Sequence, residues 1–136
     1  MTTAGPAAIT LLEKRLVTAG LVAYFLFALI VCLRSAGTYD AGDSVMHYMI
    51  ARWAFVHPEH FLSHWGKPFF TLIASPFAQL GFGGMQLLLC TLALGSGWLL
   101  WRSAHRLQLR PAWLAPAFAF AAPEYFLAQT SGLTEL

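Results

Sequence analysis

Charge is what this sequence has least of. Eight basic and six acidic side chains are spread through 136 residues, 10% charged against 58% hydrophobic, where soluble domains carry about 25% charged residues. That excludes a surface wetted on every side and fits one membrane-embedded domain. A net charge of +2, with no basic patch interleaved with aromatics, removes nucleic acid from the partners to consider. Only two cysteines occur, Cys32 and Cys90, each inside an apolar run with no second ligand at metal spacing. They read as small buried or lipid-facing side chains, and neither a disulfide nor a metal role is expected of them. Met1 to Thr10 lacks the basic start of a secretory signal, and no small-x-small site follows the first apolar run, so a short cytoplasmic tail and a retained anchor are expected. There is no internal repeat and no low-complexity segment.

What is abundant is uninterrupted apolar sequence. Leu16 to Leu33 is eighteen residues without a charge, bounded by Lys14 and Arg15 before it and Arg34 after it. At about 1.5 Å per residue that length just reaches across the hydrocarbon core. Pro68 to Trp101 is also uncharged, broken only by Pro76 and the Gly81, Gly83 and Gly84 cluster. Its first part, Pro68 to Leu80, would reach only about 20 Å as a helix against roughly 30 Å of hydrocarbon. Arg102, Arg106 and Arg110 form the densest basic segment, and the positive-inside bias wants it on the same side as Lys14 and Arg15. That needs an even number of crossings between them, which spans at 16–33 and 85–101 supply. A third run, about 113–128, returns to the outer side and is made irregular by Pro116, Pro123 and Glu124.

The expected fold class is therefore an all-α integral membrane protein. Three transmembrane helices at about 16–33, 85–101 and 113–128 are joined by an outer loop, 35–84, that carries one or two interfacial helices. The expected setting is a bacterial inner membrane or its like, with the N-terminus cytoplasmic and the first loop outside.

Within that loop, Asp40 to Lys67 is the one place where acids, histidines, an arginine and a lysine gather. Turn residues lead to Asp43, which is suited to cap a helix. Met46, Met49, Ile50 and Trp53 recur at helical spacing with Asp43, His47 and Arg52 off that stripe, which predicts an amphipathic helix over about Ser44–Val56 lying apolar side down. Pro58 ends it. Asp43 and Glu135, from successive outer loops, together with Lys67, form a candidate site for a phosphorylated lipid-linked substrate. A carboxylate can take the proton of an incoming nucleophile, and a cation can stabilise a departing phosphate.

Asp43-Ser44 followed by Tyr48 and Ala51, then His64-Trp65-Gly66-Lys67-Pro68-Phe69, and later Thr134-Glu135, resembles the N-terminal part of GT-C class membrane glycosyltransferases. The nearest branch is the one of dolichyl-phosphate-mannose protein mannosyltransferases and bacterial aminoarabinose transferases. The resemblance implies a helical bundle whose site faces outward, with Asp43 as catalytic base, Lys67 on the donor phosphate, and Glu135 orienting the acceptor or a metal. Tyr48 and His64 fall on the same motif as substrate contacts. A polyprenyl-phosphate sugar is the implied donor, a divalent metal is allowed for, and membrane lipid and the remainder of a longer polypeptide, or a partner subunit, are the implied companions. Family members are much longer and carry more spans, so the resemblance implies a fragment that is inactive alone. Ser44 stands where the family's second acid is usual, and Phe69 where its second proline is.

Each residue also has an ordinary explanation. Asp43 can be a helix cap, Asp40 a turn residue, and Lys67 and Arg52 headgroup contacts. His47, His57, His60 and His64 are numerous without metal spacing. Trp53, Trp65, Trp98, Trp101 and Trp113 read as interfacial belt residues. The rival function is a small non-enzymatic membrane subunit that docks a partner or lipid through the methionine stripe. A transporter piece would lean on Glu124 alone.

Overall fold

The computed structural model describes residues 11–35 and 42–131, and every element among them is helical. In chain order these are α1 (Leu11–Arg34), α2 (Asp43–Trp53), a 3-10 helix (Pro58–Leu62), α3 (Pro68–Ala78), α4 (Phe82–Arg106), α5 (Leu114–Ala121) and α6 (Pro123–Ser131). Two of them, α1 with 24 residues and α4 with 25, are long and apolar enough to cross a membrane. Each extends about 36 Å, somewhat more than the roughly 30 Å hydrocarbon core. The expected spans at 16–33 and 85–101 lie inside them.

α1 and α4 pack antiparallel. Val17 and Leu21 of α1 share one buried cluster with Trp101 and Ala104 of α4, whereas Ala28 and Cys32 share another with Cys90. Lys14 and Arg15 thus stand at the same end of the bundle as Arg102 and Arg106. Gly97 lets the helices close up, because a Cβ there would meet the Phe120 ring and Leu21. Trp101, expected at a membrane interface, is instead fully buried, its indole N–H directed at Glu13 Oε1 at 3.5 Å. Its place in the core follows from the antiparallel register, which brings the charged start of α1 against the end of α4.

The third apolar run does not form one helix over 113–128. It is two short helices joined at Ala122, which is extended at ψ 120. Pro123 is the physical cause, since it lacks an N–H and its ring disfavours helix at the residue before it, while it suits the first position of α6. The joint stays hydrogen-bonded, with Ala122 N–H donating to Ala119 O and Phe126 N–H to Ala122 O, each at 3.2 Å. The pair still runs the length of α4. Ala112 sits in the Trp101 cluster at one end, and Gln86 Nε2 donates to Thr130 O at 2.9 Å at the other.

The remaining elements form a layer over the end of the bundle where α1 finishes and α4 begins. Ala51, Ala74 and Ala78 pack there on Met85 and Leu88. Pro68 to Leu80, expected to be too short to cross and so part of the loop, is the separate 11-residue helix α3, followed by a turn through Gln79 and Leu80.

Both cysteines are buried, one of the two places expected of them, and they are also neighbours. Fifty-eight positions apart, Cys32 and Cys90 bring their sulfurs to 3.9 Å, both buried. Mild oxidation with copper-phenanthroline in detergent should therefore join them within one chain, seen as thiols lost to alkylation without a mass increase to dimer. Cys32→Ser should abolish the change, and thiols that stayed fully alkylatable would contradict the α1–α4 register.

Candidate functional site

α2 begins one residue earlier than expected. Gly42, at φ 106°, precedes the helix as its cap, and Asp43 is the first helical residue, with no side-chain cap bond recorded. Its carboxylate is exposed in the first turn, where the helix dipole favours negative charge. Asp43 is thus not a structural cap.

The face that α2 packs on its neighbours is not its large apolar stripe. Ser44, His47, Ala51 and Ala54 are buried, at helical spacing, while Met46, Met49 and Trp53 are about half exposed. Small side chains allow the neighbouring helix to come close, so they win the contact and the larger apolar stripe is left outside. Of that stripe only Ile50 is buried.

α3 crosses α2 from flank to flank. A Cβ on Gly66, just before α3, would meet Ile50 Cγ2 at 2.7 Å and Thr71 Oγ1 at 2.6 Å. At the other end of α3, Arg52 Nη1 donates to Ala78 O at 2.9 Å and to Gln79 O, and Gln79 Nε2 returns a bond to Arg52 O at 3.1 Å. Residues 50 and 52 point about 200° apart around a helix, so the two ends of α3 lie on opposite sides of α2. Ala51 and Ala74, fully buried, are at the crossing. Asp43 lies about 12 Å from it along α2, and Lys67 about 10 Å along α3. Both precede the crossing, on the side where the His47 and Phe70 rings meet at 6.1 Å.

Lys67 heads α3 with an exposed side chain and a backbone at φ 53°, ψ 97°. A non-glycine residue at positive φ costs about 1–3 kcal/mol and persists where its surroundings over-determine it. Here they do. Thr71 Oγ1 donates to Gly66 O at 2.7 Å, Gly66 N–H to Ser63 Oγ at 3.3 Å, and Thr71 N–H to Lys67 O at 3.0 Å. His64 is exposed in the turn before Lys67. Tyr48 is half-buried, edge-on to Phe82 at 5.6 Å, so its ring packs the layer onto α4. No ion pair joins Asp43 to Lys67 among the described residues. Glu135, Asp40 and Tyr39 lie outside the described residues.

His57 Nδ1 is 3.4 Å from Glu59 Oε1 on the surface, and the His57 and His60 rings are 5.8 Å apart. Among the described residues no group of three or more histidine, cysteine, aspartate or glutamate side chains comes together.

The sequence reading missed the inward small-residue face at positions 44, 47, 51 and 54, although its spacing of three and four residues was available. It also missed the Gly66–Thr71 pin, which carries no motif. Comparison with family models, with curated proteins and with solved structures gives no match.

Gly66→Val should drive a side chain into Ile50 and Thr71 and destabilise the layer by about 1–3 kcal/mol, read as a lower midpoint of thermal unfolding in micelles. Lys67→Gly, which relieves the positive φ, should leave that midpoint unchanged or raise it. An equal loss in both would refute the pinned-loop account.

Proposed function

We propose that this chain is the N-terminal part of a polyprenyl-phosphate-sugar-dependent glycosyltransferase of the GT-C class, working at the outer face of a bacterial inner membrane or similar. The observation that carries the reading is the pairing of two exposed charges of opposite sign, Asp43 opening α2 and Lys67 heading α3, in one layer at the end of the bundle away from Arg102 and Arg106. Their separation suits a ligand lying between them better than a bond between the two side chains.

In this reading Asp43 accepts the proton of an acceptor hydroxyl. The hydroxyl oxygen attacks the anomeric carbon of the lipid-linked sugar, the bond to the phosphate oxygen breaks with inversion, and the lipid phosphate leaves beside Lys67. Glu135 is the supporting acid, with Tyr48 and His64 bordering the substrate. The third crossing is the broken α5–α6 pair, whose two helices and joint reach about 27 Å, and α2 and α3 lie at the interface. The remainder of a longer polypeptide or a partner subunit completes the enclosure around donor and acceptor.

One observation favours a second reading, a non-enzymatic subunit that docks a partner or lipid. Met46, Met49 and Trp53 form an exposed apolar stripe along α2, which is the surface such a subunit would use. The two readings separate cleanly in the full-length polypeptide. Asp43→Asn should lower sugar transfer by about 10²- to 10⁴-fold with normal membrane insertion, and replacing Met46 and Met49 by serine should act mainly on binding of the partner or lipid. Normal turnover with Asp43→Asn would remove the base assignment, whereas no sugar transfer by the unaltered full-length polypeptide would leave the docking subunit.

A further inference from the structure

At the arginine-bearing end of the bundle, α1 and α5 diverge and leave a groove of about 560 Å³ between them. Its walls are almost wholly apolar, formed by Leu16, Val17 and Leu21 on one side and by Trp113, Pro116 and Ala117 on the other. The floor is open at Gly20, where an added Cβ would meet nothing within 4 Å. One end is closed. There Tyr24 and Phe120 stack with ring centroids 4.0 Å apart and planes 2° apart.

The other end opens beside Leu12 and Trp113, both exposed. Lys14 follows Glu13 on α1 and Arg110 lies three residues before Trp113, both exposed and both close in sequence to residues of this end. Glu13 also lines the groove but is half-buried, with Oε1 turned to the Trp101 indole on α4. Leu12 to Tyr24 covers about 18 Å of helix, against roughly 15 Å for half of the hydrocarbon core.

A channel with one closed apolar end, basic residues close in sequence to its open end and the length of a single leaflet has the polarity of a lipid. We propose that this groove holds one acyl chain of an acidic glycerophospholipid from the leaflet at the arginine-bearing end, with Lys14 and Arg110 taking its phosphate. The proposal rests on the membrane reading of α1 and α4, not on sugar transfer, and the groove lies at the opposite end of the bundle from Asp43. Basic side chains near a membrane surface each favour acidic lipid by about fivefold. An acyl chain would also cover the apolar walls that α1 and α5 leave uncovered.

The test uses the full chain in phosphatidylcholine vesicles containing a small fraction of phosphatidylglycerol with a diazirine at the end of one acyl chain. After illumination, labelled peptides are mapped. Label is expected at the closed end, around Gly20 to Tyr24 and Ala117 to Phe120. Gly20→Leu, which fills open space without a clash, should lower it several-fold with helicity unchanged. Lys14→Gln and Arg110→Gln should each lower labelling about fivefold with little change for a phosphatidylcholine probe. Asp43→Asn should leave the pattern intact, so failure here and failure of the transferase reading are distinguishable.

Label spread evenly over the lipid-facing positions Leu26, Phe27 and Ile30 would overturn the proposal, as would indifference to Gly20→Leu. So would displacement of the probe by polyprenyl phosphate in preference to phosphatidylglycerol, or a second copy of the chain crosslinked through the groove.

Discussion

The antiparallel contact between α1 and α4 gives every other element its direction. Because Val17 and Leu21 meet Trp101 while Cys32 meets Cys90, the basic ends of both helices coincide and their other ends coincide too. The α2–α3 layer is then confined to one end of the bundle, since it joins the finish of α1 to the start of α4. The α5–α6 pair must run back along α4, for Trp113 starts beside one cluster and Thr130 finishes beside the other. Hydrocarbon thickness and helix rise set the scale of this arrangement, and the buried clusters set its register.

Length and charge made the first part of this legible in the sequence. Leu16 to Leu33 and Met85 to Trp101 can be read as spans because nothing in them needs water, and the arginines after Trp101 fix the parity of crossings. Packing was not legible to the same degree. Trp101 looks like any interfacial tryptophan until the register places Glu13 against it, and two cysteines 58 positions apart carry no local signal of being neighbours. Pro123 announced a break in the third run, but whether the chain would still travel the length of α4 depended on contacts such as Gln86 with Thr130, which no local pattern encodes.

The candidate site divides in the same way. Asp43 and Lys67 stand out because charges are scarce, so their exposure was foreseeable. Which of two adjacent residues caps α2 was not, because glycine and aspartate are both acceptable there. With Gly42 taking that position, the carboxylate at 43 can act on the helix only through the dipole and not as its cap. For Lys67 the argument runs through the backbone. A lysine kept at positive φ because the adjacent glycine accepts a bond from Thr71 and donates one to Ser63 is held in place by its neighbours' geometry, against its own preference. Such a residue is a better candidate for a task at a fixed position than a lysine free to follow the lipid surface.

α2 shows what the proposed membrane setting would explain. In water, a helix with Met46, Met49, Ile50 and Trp53 on one side would turn that side inward, since burying large apolar side chains is the main source of stability. Here the inward face is serine, histidine and alanine, and three of the four large side chains are half exposed. Close contact of small residues holds α2 on α3, and that contact alone would leave the exposed stripe at a net loss in water. In the proposed setting a bilayer surface would remove the penalty, with the stripe toward hydrocarbon while Arg52 bonds the carbonyls at the end of α3. The same medium would account for the exposed leucines and phenylalanines of α1.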